Sequence, residues 1–194
     1  MTLFLEKMKN RGEMRLTERY FFDTNCLSAF LWIRGESILA KLYSGRIILP
    51  AQVYEELKFV PHLRQRADDM KAAGDLSVES MEVDSAEYRD YYMMTSSPEE
   101  GMRIIGKGEA AGIAMVRARG GILASNNMKD IAAYVEKFGL QLVTTGDILK
   151  EAMEKGIITE QEGNLLWQNM LRKRRKLPAA SFTEYLENKG FRHP

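Results

Sequence analysis

The sequence predicts an α/β chain: a three-layer α/β/α sandwich around a central parallel sheet, with a C-terminal helical extension. Short apolar strand candidates alternate with helical stretches, the pattern of βαβ units and a parallel sheet. Ile122-Leu123-Ala124 has the continuous apolar character of a strand buried on both faces. From Gly146 onward the pattern is helical, with no further strand run.

The elements follow in order. Tyr20-Phe21-Phe22 is a strand that ends abruptly at Asp23-Thr24-Asn25. Leu27 to Leu42 has apolar residues at helical spacing and ends near Gly45, a residue common just past a helix. Ile47-Ile48-Leu49 is a second strand, stopped by Pro50, and Gln52 to Leu57 is helical again. Pro61 to Asp75, charged and rich in Ala, predicts an exposed helix. Leu76 to Val83 alternates apolar and polar residues, as a strand near a sheet edge does. Ala86 to Met94 predicts a helix, and Thr95-Ser96-Ser97-Pro98 a loop with a helix-start signal. Glu109 to Ala118 is strongly helical and ends at Gly120-Gly121. After the strand at Ile122, Ser125-Asn126-Asn127 opens a helix reaching Phe138, and Leu140 to Val143 is the last strand. Pro178 breaks the helical tail after a basic cluster, Leu171 to Lys176.

Composition narrows the function. Of 194 residues, 45% are hydrophobic and 28% charged, as in ordinary globular proteins. A net charge of +1 gives no global basic field, so a nucleic-acid surface must be a local patch. No apolar run reaches the ~20 residues that span a bilayer, so no membrane partner is expected. Met1 to Lys9 lacks the long apolar region of a secretory signal, and a cytoplasmic location is the expectation. One cysteine, Cys26, excludes an internal disulfide. With only two histidines, His62 and His193, metal chemistry must run on carboxylates, which suit hard ions such as Mg2+ or Mn2+.

Sites in open parallel sheets form beyond the carboxyl ends of the strands. Asp23 follows the first strand, Glu55 and Glu56 lie on the helix after the second, and Glu109 begins the helix leading into the fourth. Asn126 and Asn127 end that strand, with Asp130 one turn on. Acids gathered at one edge repel each other unless a cation sits among them, so a divalent ion is the economical reading. Each residue also has a plainer explanation. An acid at a helix N-terminus is favoured by capping and the macrodipole alone. Glu55-Glu56 suits a solvated helix face, the Asn pair a turn and cap, and the basic cluster a solvated face or a phosphate contact. Cys26 suits a small buried hydrophobe. Gly106-Lys107-Gly108 lacks the spacing of a phosphate-binding loop.

Read together, these positions resemble a known family. Phe21-Phe22-Asp23-Thr24-Asn25 resembles the opening motif of PIN domains, and Val53-Tyr54-Glu55-Glu56-Leu57 their second motif. Gly106 to Ala114 is similar to a third motif of one branch, and Ala124 to Asp130 to the final strand-end motif. The resemblance runs from about Arg19 to Leu149. It implies an N-terminal extension at 1–18, a PIN-like nuclease domain at 19–150, and a helical extension at 151–194 packed on that domain. It further implies a Mg2+- or Mn2+-dependent endoribonuclease with Asp23, Glu56 and Glu109 as metal-binding acids.

Glu56 is preferred to Glu55 because it immediately precedes the leucine that ends the motif. The fourth position, commonly Asp in active members, is Asn127 here, and Asp130 follows a turn later. Asn127 or Asp130 would complete the surroundings of the ion. Thr24 and Ser125 are expected as hydroxyl donors to the acids, with Asn25 beside them, and Lys107 as a cation facing phosphate. The expected partner is RNA. The family adds an antitoxin, if the chain is the toxin of a toxin–antitoxin pair, and a homodimer. The competing reading is a non-catalytic RNA- or protein-binding module, motivated by Asn127. A generic nucleotide-binding protein ranks last, since no glycine-rich fingerprint follows the first strand.

Overall fold

The computed structural model describes residues 18–190, so most of the expected 1–18 extension, and His193, lie outside the described residues. Five parallel strands form one sheet: β1 (Tyr20–Phe22), β2 (Ile47–Pro50), β3 (Leu76–Glu79), β4 (Ile122–Ala124) and β5 (Gln141–Val143). Their order is β3-β2-β1-β4-β5. The chain therefore builds outward from β1 in one direction, then returns to place β4 on its other side. In register, Tyr20 faces both Ile47 and Ile122, and Phe22 faces Ala124.

Alternation along β1 explains the layers, because successive side chains point to opposite faces. Tyr20 and Phe22 join a core with Ile47, Leu49, Ile122 and Ala124. That core is covered by α1 (Thr24–Trp32), α2 (Glu36–Tyr43), α4 (Pro61–Ala72) and the tail helices α8 (Thr145–Glu154), α9 (Glu160–Arg172) and α10 (Phe182–Asn188). Phe21, Ile48 and Leu123 belong to a second core under α5 (Ala86–Ser96), α6 (Lys107–Arg119) and α7 (Met128–Phe138). The result is the α/β/α sandwich expected from the sequence. The short α3 (Ala51–Glu56) follows β2 and runs into a 3-10 turn at Leu57–Phe59.

Several local expectations need correction. Leu27 to Leu42 is two helices, because Arg34 takes a left-handed φ of 59° and Gly35 N–H bonds back to Phe30 O at 2.9 Å, closing α1. The helix at Pro61 is not merely exposed; Leu63, Ala67 and Met70 bury one face. β3 ends at Glu79, short of Val83. The start signal at Thr95 opens nothing, since α5 runs through Ser96 and the next helix begins at Lys107. In the tail, Trp167 and Met170 are fully buried whereas Leu165, two residues before Trp167, is 57% exposed.

Candidate active site

The site is built around the junction of β1 and β4, where the strand order reverses. Loops diverge there at the carboxyl edge of an open parallel sheet and leave a crevice. Asp23 ends β1 with an extended backbone and caps α1, its Oδ1 accepting from Cys26 N–H at 2.6 Å. Its Oδ2 accepts the hydroxyl hydrogen of Ser125, the residue after β4. Two strand ends thus fix one carboxylate. Asp23 is 1% exposed. Burial pushes its carboxyl up to about 7; hydrogen bonds from Ser125 and backbone N–H groups oppose this, and repulsion by Glu109 adds to it.

Glu56 and Glu109 meet at the N-terminus of α6. Gly106, the N-cap, has no side chain to satisfy the first N–H groups of the helix. Glu56 does so from α3, its Oε1 accepting from Gly108 N–H at 3.1 Å. Its Oε2 accepts the hydroxyl of Thr24. A Cβ added at Gly108 would stand 3.1 Å from Glu56 Oε2 and 3.2 Å from Thr24 Oγ1, and one at Gly106 only 2.1 Å from Glu109 Oε2. The glycines of this turn let both acids lie against the backbone. Glu55, by contrast, is exposed and pairs with Lys58 at 3.4 Å.

Asn127 N-caps α7 without a side-chain capping bond. Its Nδ2 donates instead to Glu109 Oε1 at 3.0 Å and to Asp130 Oδ2 at 2.7 Å. The structure therefore brings together Asp23, Thr24, Glu56, Glu109, Ser125, Asn127 and Asp130. Among the described residues no Lys or Arg forms an ion pair with any of the four acids. Nor are three His, Cys, Asp or Glu side chains among them gathered so as to hold a metal ion. Neutral donors have taken up the carboxylates instead.

Two hollows flank these residues. One, of about 310 Å3, is lined by Asn25, Asn126, Asn127 and Asp130 on one wall and by Arg174, Arg175 and Lys176 on the other. The other, of about 450 Å3, lies beyond Glu56 and holds Lys107, Lys58, Tyr91 and Phe59, the last 78% exposed. Lys107 thus stands away from Asn127, on the Glu56 side. Two features escaped the sequence reading. Asn126 ties the β4 end to the tail, its Oδ1 accepting from Thr145 N–H at 2.9 Å and its Nδ2 donating to Thr145 Oγ1 at 2.7 Å. The 174–176 cations arrive through tertiary packing, for which the only sequence signal is the basic run itself. Cys26 is buried, its thiol pushed well up by burial.

A family described as PIN domain matches the chain over residues 19–190. None of the curated proteins matches it. Among solved structures, DNA-bound VapBC from Salmonella typhimurium matches at 14% identity with a TM-score of 0.45, over 66% of this chain and 99% of that one.

Proposed function

The chain belongs to the PIN-domain family, and from that membership we propose that it is a divalent-metal-dependent ribonuclease, with Asp23, Glu56 and Glu109 as its metal-binding acids. One observation carries the reading. A buried carboxylate sits at the strand-order reversal, is raised to about 7, and faces a second acid, and among the described residues no protein cation is paired to either. A structural cap has no need of that arrangement, whereas a cation between Asp23 and Glu109 would relieve both burial and repulsion.

The donor chemistry fits Mg2+ or Mn2+, since every oxygen concerned is hard. Asp23 and Glu109 would hold the ion, with Glu56, occupied by Thr24 and Gly108, standing beside them. When bound, such an ion polarises a phosphoryl oxygen and makes water a better nucleophile. The chain's own residues do the positioning. Ser125 and Cys26 N–H lock the Asp23 carboxylate in one orientation. Asn127 bridges Glu109 and Asp130, and its Oδ1 remains a neutral acceptor. Glu56, fixed by two donors, would orient the attacking water. Lys107, exposed at the α6 N-terminus, would face a flanking phosphate.

The competing reading, a non-catalytic RNA- or protein-binding module, is favoured by one observation: Asn127 puts an amide where a fourth carboxylate would add charge. Calorimetric titration with Mn2+ separates the two. The ribonuclease reading expects saturable binding below millimolar metal; a folded protein that binds none at millimolar Mn2+ would leave the binding module.

A further inference from the structure

The hollow between the β4–α7 turn and the end of α9 has a wall that the acid chemistry does not use. Three consecutive cations form it: Arg174, Arg175 and Lys176. Facing them are amides, with Asp130 the single carboxylate of the lining among the described residues, and its Oδ2 is already engaged by Asn127. Among the described residues the lining is thus two positive charges in excess, in a chain whose whole net charge is +1. Among the described residues, none of the three cations has an acidic partner.

The backbone adds a second observation. α9 ends in a tight reversal in which Arg174 N–H bonds to Leu171 O at 2.8 Å and Arg175 N–H to Met170 O at 3.0 Å. Arg174 there has a φ of 57°, the left-handed conformation that glycine ordinarily supplies at a helix end. The arginine there is exposed, so the strained position is not held by burial of its side chain, and the residue lines the hollow. Arg175 anchors the turn, with Nη1 3.3 Å from Ser28 Oγ on α1, the helix that Asp23 caps, and its guanidinium 6.0 Å from the Trp32 ring centre. The cationic wall is therefore tied to the element that carries the first acid.

We propose that this hollow is a phosphate subsite, which holds the backbone of a single RNA strand beside the acidic edge through Arg174, Arg175 and Lys176. The guanidinium fork matches two phosphate oxygens at once, and lysine adds a point charge. The proposal rests on the ribonuclease reading and supplies what the acids lack, an attraction for a polyanion that their own charge repels. The Asn25 amide and the Asn127 Oδ1 opposite the cations offer neutral polar contacts to sugar hydroxyls.

The test uses the full chain and a labelled single-stranded RNA in EDTA, with binding followed by fluorescence anisotropy at stepped salt. R174A/K176A removes two cations and leaves the anchoring Arg175 in place; R174K/K176R keeps the charge. The double alanine variant is expected to bind about tenfold more weakly, with a salt slope shallower by about 1.4, since each single-strand phosphate contact contributes about 0.7. R174K/K176R recovers the slope. In Mn2+, KM for RNA rises about tenfold in the alanine variant. If the wild type cleaves RNA and the alanine variant matches it in affinity, slope and KM, the subsite is wrong while the ribonuclease reading stands. If the slope falls as expected but the wild type cleaves nothing in Mn2+, the subsite stands and the ribonuclease reading fails.

Discussion

Asn127 donates from Nδ2 to Oε1 of Glu109 at 3.0 Å, and the second hydrogen of the same amide goes to Asp130 Oδ2 at 2.7 Å. One neutral group thus bridges two carboxylates. An aspartate there has no hydrogens to give and brings a further negative charge. Asn127→Asp is therefore expected to cost about 1–3 kcal/mol in EDTA at neutral pH, a Tm drop of about 2–12 °C. It is expected to tighten Mn2+ binding roughly tenfold, read by calorimetry. A variant that melts higher in EDTA, or binds Mn2+ no better, goes against this account of Asn127.

Asp23 sets a pH dependence of stability. Its folded pKa, about 7, lies above the ordinary 3.8, so the protonated form is the one that folding favours. The stability it contributes is full below about pH 4 and is lost as pH rises toward about 7, beyond which the cost is constant. Asp23→Asn stays neutral throughout. In EDTA its unfolding free energy, from denaturant titration, is expected to match the wild type near pH 4 and to exceed it at pH 8, by at most a few kcal/mol. A difference that does not change with pH contradicts the burial argument.

Gly106→Ala tests how close the acids lie to the α6 N-terminus. The new Cβ falls 2.1 Å from Glu109 Oε2, the mobile end of a side chain, so the carboxylate must swing while the fold persists. The expected stability change is within about 1 kcal/mol, with Mn2+ affinity lower by roughly tenfold. Unchanged Mn2+ affinity would show that Glu109 does not touch the ion.

The tail is proposed to fold as one unit with the sheet. Trp167 is fully buried, donates from Nε1 to Ala179 O at 3.0 Å, and packs 5.3 Å from the Tyr185 ring. It shares a core with Phe22 and Leu27. Trp167→Ala is expected to cost about 3–5 kcal/mol and to lower a single unfolding transition. Two transitions, with only the tail lost in the first, would make 151–194 a separate unit.

These expectations draw unequally on the sequence. The strands and the acids at their ends are legible because the signals are local: Phe21-Phe22 running into Asp23, or a glycine turn running into Glu109. Ser125 as the donor to Asp23 and Thr24 as the donor to Glu56 follow from their being adjacent to strand ends. The break at Arg34 was not legible, because the apolar period continues across a turn set by one left-handed residue. Nor was the approach of Arg174 to Asn127, two residues 47 positions apart, brought together when Trp167 and Phe182 are buried. Glu56 as a cap for α6 is likewise a tertiary contact, between residues 52 apart.

The central claim is that Asp23 anchors a metal-dependent cleavage of RNA. It is tested most directly by following single-stranded RNA with and without Mn2+, using wild type and Asp23→Asn, each shown folded by circular dichroism. The account predicts cleavage by the wild type only when Mn2+ is present, and none by the folded variant. Equal cleavage by the two proteins, or none by a folded wild type with Mn2+, contradicts it.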